Sequence, residues 1–389
     1  VRFHSLDSWR GICAILVALM HLPVLGHLYD LPFLRNSYLF VDFFFVLSGF
    51  VITHSYGGRI LDWGSAAEFM VRRIGRIWPL HLFVLFLFVA LETMKLMLSG
   101  WYGDASHAPF TGETSLPSLV TNILLIHATG IHDIGMSWNG PSWSISAEFV
   151  VYAIFAVGLL AFRSRIAVVL GVLATAGAFA VFTFSPTYMD TQQEFGVLRC
   201  LFGFTVGHLV CRLRRSGDEA AGTGSRFGSL AEAASLVAVV LFVSLVGVGP
   251  ASMAAPLLFG AVIHVFASGC GIFTRLLNTR PMRRLGELSF SIYMIHGFGI
   301  ELMMKGANII EKMTGWRLKS SLARDGGEAE VLVFGEAWMM DIFTLAYVIA
   351  VVLVAELTYR LVEKPGQRFF NDLPTFRIPA AKELRSAVP

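Results

Sequence analysis

Apolar runs close to 20 residues long recur along the whole chain, and no other feature constrains its fold as strongly. A helix needs about 20 residues to cross a roughly 30 Å hydrocarbon core. Runs near 9–28, 38–56, 77–98, 144–162, 166–184, 195–211, 229–249, 254–273, 285–304 and 341–361 come close to that length. An eleventh apolar piece, Leu119 to Thr129, is too short to cross and reads as a re-entrant or interfacial segment. Only 15% of the 389 residues are charged, against about a quarter in soluble chains. The expected fold is therefore an all-α, polytopic integral membrane protein with about ten transmembrane helices plus that one short segment.

Charge placement orients the bundle. With ten crossings both termini share one side, and that side collects 22 of the 30 Lys and Arg. They fall in clusters at 2–10, 59–76, 163–165, 212–226, 275–284 and from Arg360 onward. Positive residues concentrate on the cytoplasmic side, so both termini are expected to be cytoplasmic. Two outer segments, 99–143 and 305–340, are long, and their Trp101, Tyr102, Trp316 and Trp338 are either sugar-stacking rings or interfacial anchors. The expected division is a membrane-embedded domain over 1–365 and a short cytoplasmic tail over 366–389. No cleavable leader is expected, because the first apolar run is long and lacks a small-residue cleavage site. A net charge of +3 is too small to argue for nucleic acid, and Cys13, Cys200, Cys211 and Cys270 lack the spacing of a disulfide framework or a zinc site.

Ionisable residues inside a span are costly and call for a partner, a water-filled cavity or a function. Arg10 and His21 lie eleven residues apart. At about 100° per residue that is close to three turns, so they share a face roughly 16 Å apart. Ala14, Val17 and Ala18 lie between them, a small-residue lane that suits either a thin substrate arm or helix packing. Asp42 opens the second span. Arg72, Arg73 and Arg76 form a compact cationic patch at the inner end of the third, suited to phosphates or to anionic lipid. Trp143, Ser144 and Glu148 enter the fourth span from outside, with Ser144 placed as a helix cap and Glu148 on the same face. Ser289, Tyr293 and His296 share a face late in the chain, whereas His127 and His264 read as structural. Glu363 closes the last span on the inner side, in reach of an arginine.

These stretches, taken in order, resemble the acyltransferase-3 family of membrane O-acyltransferases. The matching pieces are Leu6–Ala14 with His21 eleven residues after Arg10, DFFFVLSGF from Asp42, RRIGRIWP from Arg72, WSISAE from Trp143, SFSIYMIH from Ser289, and Glu363-Lys-Pro. The resemblance implies a cytoplasmic acyl-CoA donor, usually acetyl-CoA, and an acceptor hydroxyl on an extracytoplasmic or membrane-associated glycan. It marks Arg10 and His21 as the essential pair, Arg73 and Arg76 as inner-face arginines, Glu148 as the acidic residue after the tryptophan, and Glu363 as the terminal motif.

The expected mechanism places the CoA phosphates on Arg10, Arg72, Arg73 and Arg76, and the pantetheine arm along the small-residue lane. His21 is then the general base or an acyl-accepting nucleophile, assisted by Glu148, Tyr293 and His296. Asp42, Trp143 and Ser144 are expected to bind substrate. The partners expected are acetyl-CoA, a glycan acceptor and the lipid bilayer of a bacterial inner membrane, with a homodimer possible and no metal. A transporter or flippase for a glycan or lipid-linked sugar is the rival reading, since midplane polar residues suit it too.

Overall fold

The structure is a computed structural model describing residues 3–97, 108–131, 136–216, 225–269, 271–324 and 327–373. Trp101, Tyr102 and Cys270 lie outside the described residues. A helix lies on each of the ten apolar runs: α1 His4–His21, α2 Phe40–Tyr56, α3 Trp63–Met97, α5 Trp143–Phe162, α6 Ile166–Phe184, α7 Gly196–Ser216, α8 Ser225–Val246, α9 Ala255–Ala267, α10 Arg280–Thr314 and α11 Ala337–Thr358. The short apolar piece forms α4, Leu116–Ile123, too brief to cross. After α11 one π-helical turn, Tyr359–Glu363, leads into α12, Lys364–Asn371. The protein is a multi-pass membrane protein. Among the described residues seven segments are long and apolar enough to cross a membrane, and between them they hold eight of the ten helices. The other two are α1 and α10, whose first turns carry charge.

Helix limits follow from local chemistry. Asp62 caps α3 by accepting the Ser65 amide at 2.7 Å, which holds its exposed carboxyl below the usual carboxylate range. α10 opens with Pro281 in its first turn and closes on Gly315, whose φ of 73° is the left-handed cap that favours glycine. The first span is shorter than its apolar run. Pro23 forces Leu22 into an extended conformation, so α1 stops at His21 rather than running to 28.

The chain beyond α1 is held by an unforeseen β-hairpin, β1 Lys319–Arg324 paired antiparallel with β2 Gly327–Leu332. The Leu25 amide donates to Leu332 O at 3.0 Å, and the Leu332 amide donates to Pro23 O at 2.7 Å. The polar character of the stretch 305–340 hid these strands, whose alternation is not apolar.

Two parallel helix pairs form the core. At the α1–α10 crossing a Cβ on Gly11 would stand 2.6 Å from the Leu285 carbonyl carbon, and one on Gly286 would stand 2.3 Å from Asp7 O. Only glycine permits that approach. Ten residues further along both helices His21 meets His296, their rings 5.2 Å apart. The second pair is α2 with α7, joined in sequence by Asp42–Arg199, Gly49 against Phe204 O, and Thr53–His208. Around these pairs α6, α8 and α11 turn Val172, Phe179, Leu241, Leu245, Leu345 and Leu353 outward, as lipid-facing helices should.

Candidate active site

Helices α1, α2, α3, α5 and α10 enclose a cavity of about 370 Å³. Its mouth lies at the arginine-rich end of the bundle, beside Phe3, Asp7 and Ser55. Phe44, Ser144 and Tyr293 lie at its deep end. Arg10, Arg73, Arg76 and Glu148 line the walls between.

The three arginines are held differently. Arg76 donates to Glu363 Oε1 at 2.5 Å, and Glu363 also accepts from Ser291 Oγ at 2.6 Å and Gln367 Nε2 at 3.1 Å. The π-helical turn thus delivers a buried carboxylate that fixes Arg76 from behind. α12 reinforces the contact, with Phe370 against Gly75 and Gly366 against Pro79. Arg10 has its nearest carboxylate, Asp7, at 3.9 Å. Arg73 has none in ion-pair range among the described residues. Its guanidinium lies over Tyr56, Phe69 and Tyr152, 5.4, 5.8 and 6.0 Å from the ring centres. Its Nε is buried without a hydrogen-bond partner. Arg10 and Arg73 thus face the cavity less closely paired than Arg76, with the carboxylates of Asp7 and Glu148 on the same walls. Arg72 is elsewhere: it donates twice to Glu68 Oε1, at 2.9 and 2.7 Å, and does not line the cavity.

The deep end is hydroxylic. Tyr293 Oη donates to Pro141 O at 2.9 Å and lies 2.8 Å from Ser144 Oγ. Ser144 is therefore not the cap of α5, which begins one residue earlier. Its hydroxyl faces Tyr293 instead. Ser289 Oγ, also on the wall, is buried and unpartnered. Behind Tyr293, at 5.8 Å between ring centres, stands His296, and then His21. Neither imidazole lines the cavity. His21 Nδ1 lies 2.9 Å from Val17 O and His296 Nδ1 3.3 Å from Ile292 O, so each donates its proton backward to a helix carbonyl. Each Nε2 is then a bare lone pair, and that of His296 has no partner among the described residues. The small-residue lane carries no path between mouth and base. Ala14, Val17 and Ala18 are fully buried and line no part of the cavity.

Asp42 and Trp143 belong to a different cluster, organised by a buried arginine of α7 to which the sequence analysis gave no role. Arg199 donates to Asp42 at 2.9 and 2.8 Å, to Thr191 O at 3.1 Å and to Tyr38 O at 3.0 Å. Its guanidinium lies 5.4 Å from the Trp143 ring. Both charged groups are fully buried. His127 also has company: it stacks on His81 at 5.7 Å and lies 3.1 Å from Ser142 Oγ. Among the described residues no group of three or more His, Cys, Asp or Glu is placed to hold a metal ion.

Known proteins bear on this arrangement. The family described as an acyltransferase domain matches residues 3–360. The chain is 26% identical over 300 residues to the acyltransferase MdmB of Streptomyces mycarofaciens, covering 72% of this chain and 69% of that one. It is 27% identical over 277 residues to the exopolysaccharide production protein ExoZ of Rhizobium meliloti, covering 68% and 77%. It is 23% identical over 396 residues to the putative peptidoglycan O-acetyltransferase YrhL of Bacillus subtilis, covering 93% of this chain and 54% of that protein. No solved structure matches the chain.

Proposed function

The chain belongs to the acyltransferase-3 family and is a membrane O-acyltransferase, and from that premise we propose that it moves an acetyl group from cytoplasmic acetyl-CoA to a hydroxyl of an extracytoplasmic or membrane-associated glycan. Its place in this reading is a bacterial inner membrane, with the arginine-rich mouth facing the cytoplasm. The observation that carries the reading is the order of groups along α1 and α10, from Arg10 to His21 on one and from Ser289 through Tyr293 to His296 on the other. Under-neutralised arginines come first, then a hydroxylic floor, then two imidazoles with bare Nε2 atoms.

Arg10 and Arg73 bind the donor's phosphates, and Arg76 adds a cation held in place by Glu363. The acyl end reaches the floor, where the Tyr293 and Ser144 hydroxyls can turn toward the thioester oxygen and stabilise its developing charge. The acceptor hydroxyl arrives from the histidine side. His21 Nε2 takes its proton as the oxygen attacks the carbonyl carbon, the carbon–sulfur bond breaks, and the proton passes to the departing thiolate. His296, in ring contact with His21, shares the positive charge formed on the way.

Protein in lipid nanodiscs, titrated with acetyl-CoA by calorimetry and followed for thioester loss with a glycan acceptor, tests this reading. His21→Ala should lower turnover by about 10³-fold, within the range of general-base contributions, while donor binding persists. Arg10→Ala should weaken donor binding. Wild-type protein that neither binds nor consumes acetyl-CoA would remove the reading.

A further inference from the structure

A second concavity, of about 220 Å³, lies at the opposite end of the bundle, in the connection between α6 and α7. Met136 and Pro186 line it together with Thr187, Asp190, Thr191, Gln192, Gln193 and Glu194. The lining offers hydroxyls, two side-chain amides and two carboxylates, hence donors and acceptors in mixture. None of these residues is a lysine or arginine, which disfavours an anionic ligand, while Met136 and Pro186 set beside the polar groups an apolar surface on which the C–H face of a sugar ring can rest. Such a set matches vicinal hydroxyls, which both give and accept hydrogen bonds.

The floor is preorganised. Thr187 Oγ1 donates to Asp190 O at 2.9 Å, the Asp190 amide donates to Thr187 O at 2.9 Å, and Ser185 Oγ donates to Tyr188 O at 3.2 Å. Tyr188 adopts the left-handed conformation, φ 50°, that the turn requires.

Its position relative to the reactive groups is the decisive point. Thr191 O accepts from Arg199 at 3.1 Å, Arg199 stands 5.4 Å from the Trp143 ring, and Trp143 meets Phe45 at 5.9 Å. Phe45 lines the arginine cavity. The two concavities are therefore separated by a septum built on Arg199, Asp42 and Trp143. A second connection leads to the histidines: Asp190 is within electrostatic reach of Arg35, whose Nη1 donates to Met20 O at 3.4 Å, beside His21.

We propose that this concavity is a docking subsite for a hydroxyl-rich acceptor, holding a sugar unit next to the one presented to His21. The proposal rests on the acyl-transfer reading above and adds to it where the acceptor chain is gripped. A subsite of this kind rewards chain length, because only an oligomer occupies both positions.

The test uses the full chain in nanodiscs, acetyl-CoA, and linear tetrasaccharides of glucose, galactose and mannose beside their methyl glycosides. In the wild type at least one tetrasaccharide should have a KM well below that of its methyl glycoside. In a Gln193→Ala, Glu194→Ala double variant that advantage should shrink by about tenfold, the loss expected of one or two hydrogen bonds, with donor Kd and kcat unchanged. Unchanged donor Kd establishes that the variant is folded. A length advantage that survives in the variant, or its absence from every wild-type pair, overturns the subsite while leaving acyl transfer intact. Failure of wild-type protein to consume acetyl-CoA removes the acyl-transfer reading itself, and the subsite with it.

Discussion

The Asp42–Arg199 cluster and the Arg10–Arg73–Arg76 cavity are both arginine sites inside one helical bundle, yet they are opposites. Arg199 is fully buried, and its donors reach two carboxylate oxygens and two backbone carbonyls. Arg73 lies among aromatic rings with its Nε unpartnered, on the wall of a cavity. A saturated charge holds helices together, whereas an unsaturated one waits for a ligand. Burial and partner count separate the two roles where residue type cannot.

Replacing single residues can break that comparison. Arg199→Met should be the most damaging, because it strands the Asp42 carboxylate in the core; about 3–5 kcal/mol of stability is at stake. Thermal unfolding in detergent would read it, and adding Asp42→Leu should restore most of the loss. Arg73→Ala should do the reverse. Donor affinity should fall by about 1.5–3 kcal/mol, the worth of hydrogen bonds to a charged group, while the unfolding temperature stays level. Glu363→Gln sharpens the contrast, since Glu363 acts through Arg76. Its effect on donor affinity, about 1 kcal/mol, should vanish in an Arg76→Ala background and persist with Arg10→Ala, a coupling that a double-mutant cycle measures. Smallest of all is Arg72→Ala. Its bridge joins a one-third-exposed guanidinium to the buried Glu68 carboxylate away from the cavity, so the loss falls on stability and donor binding should not change.

Much of this was legible in the chain itself. Ten apolar runs became ten helices because hydrophobic length is a strong signal in a bilayer. The alternation of spans also required the first and ninth to run parallel, as α1 and α10 do. Arg10, Arg73, Arg76, Glu148, Ser144 and Tyr293 converge on one cavity from four helices. Sequence reasoning faltered where one residue type serves two purposes. Ala14, Val17 and Ala18 suited a substrate lane and a packed seam equally, and packing prevailed. Arg199 was passed over, although an arginine inside one apolar run and an isolated Asp42 in another are a pairing signal. The extent of α1 was overestimated because Pro23 was not weighed against the hydrophobicity around it. The hairpin at 319–332 and the π-helical turn at Glu363 are tertiary products with no local signature.

The septum between the two concavities has an electrical consequence. A membrane protein hollowed from both faces risks becoming a leak, and the bilayer it inhabits stores work as a voltage. Arg199 closes that partition as one half of a buried ion pair, its guanidinium spent on two Asp42 oxygens and two backbone carbonyls, so the pair adds no net charge there. A saturated ion pair packed between helices, rather than a bare charge, is what keeps the two hollows apart.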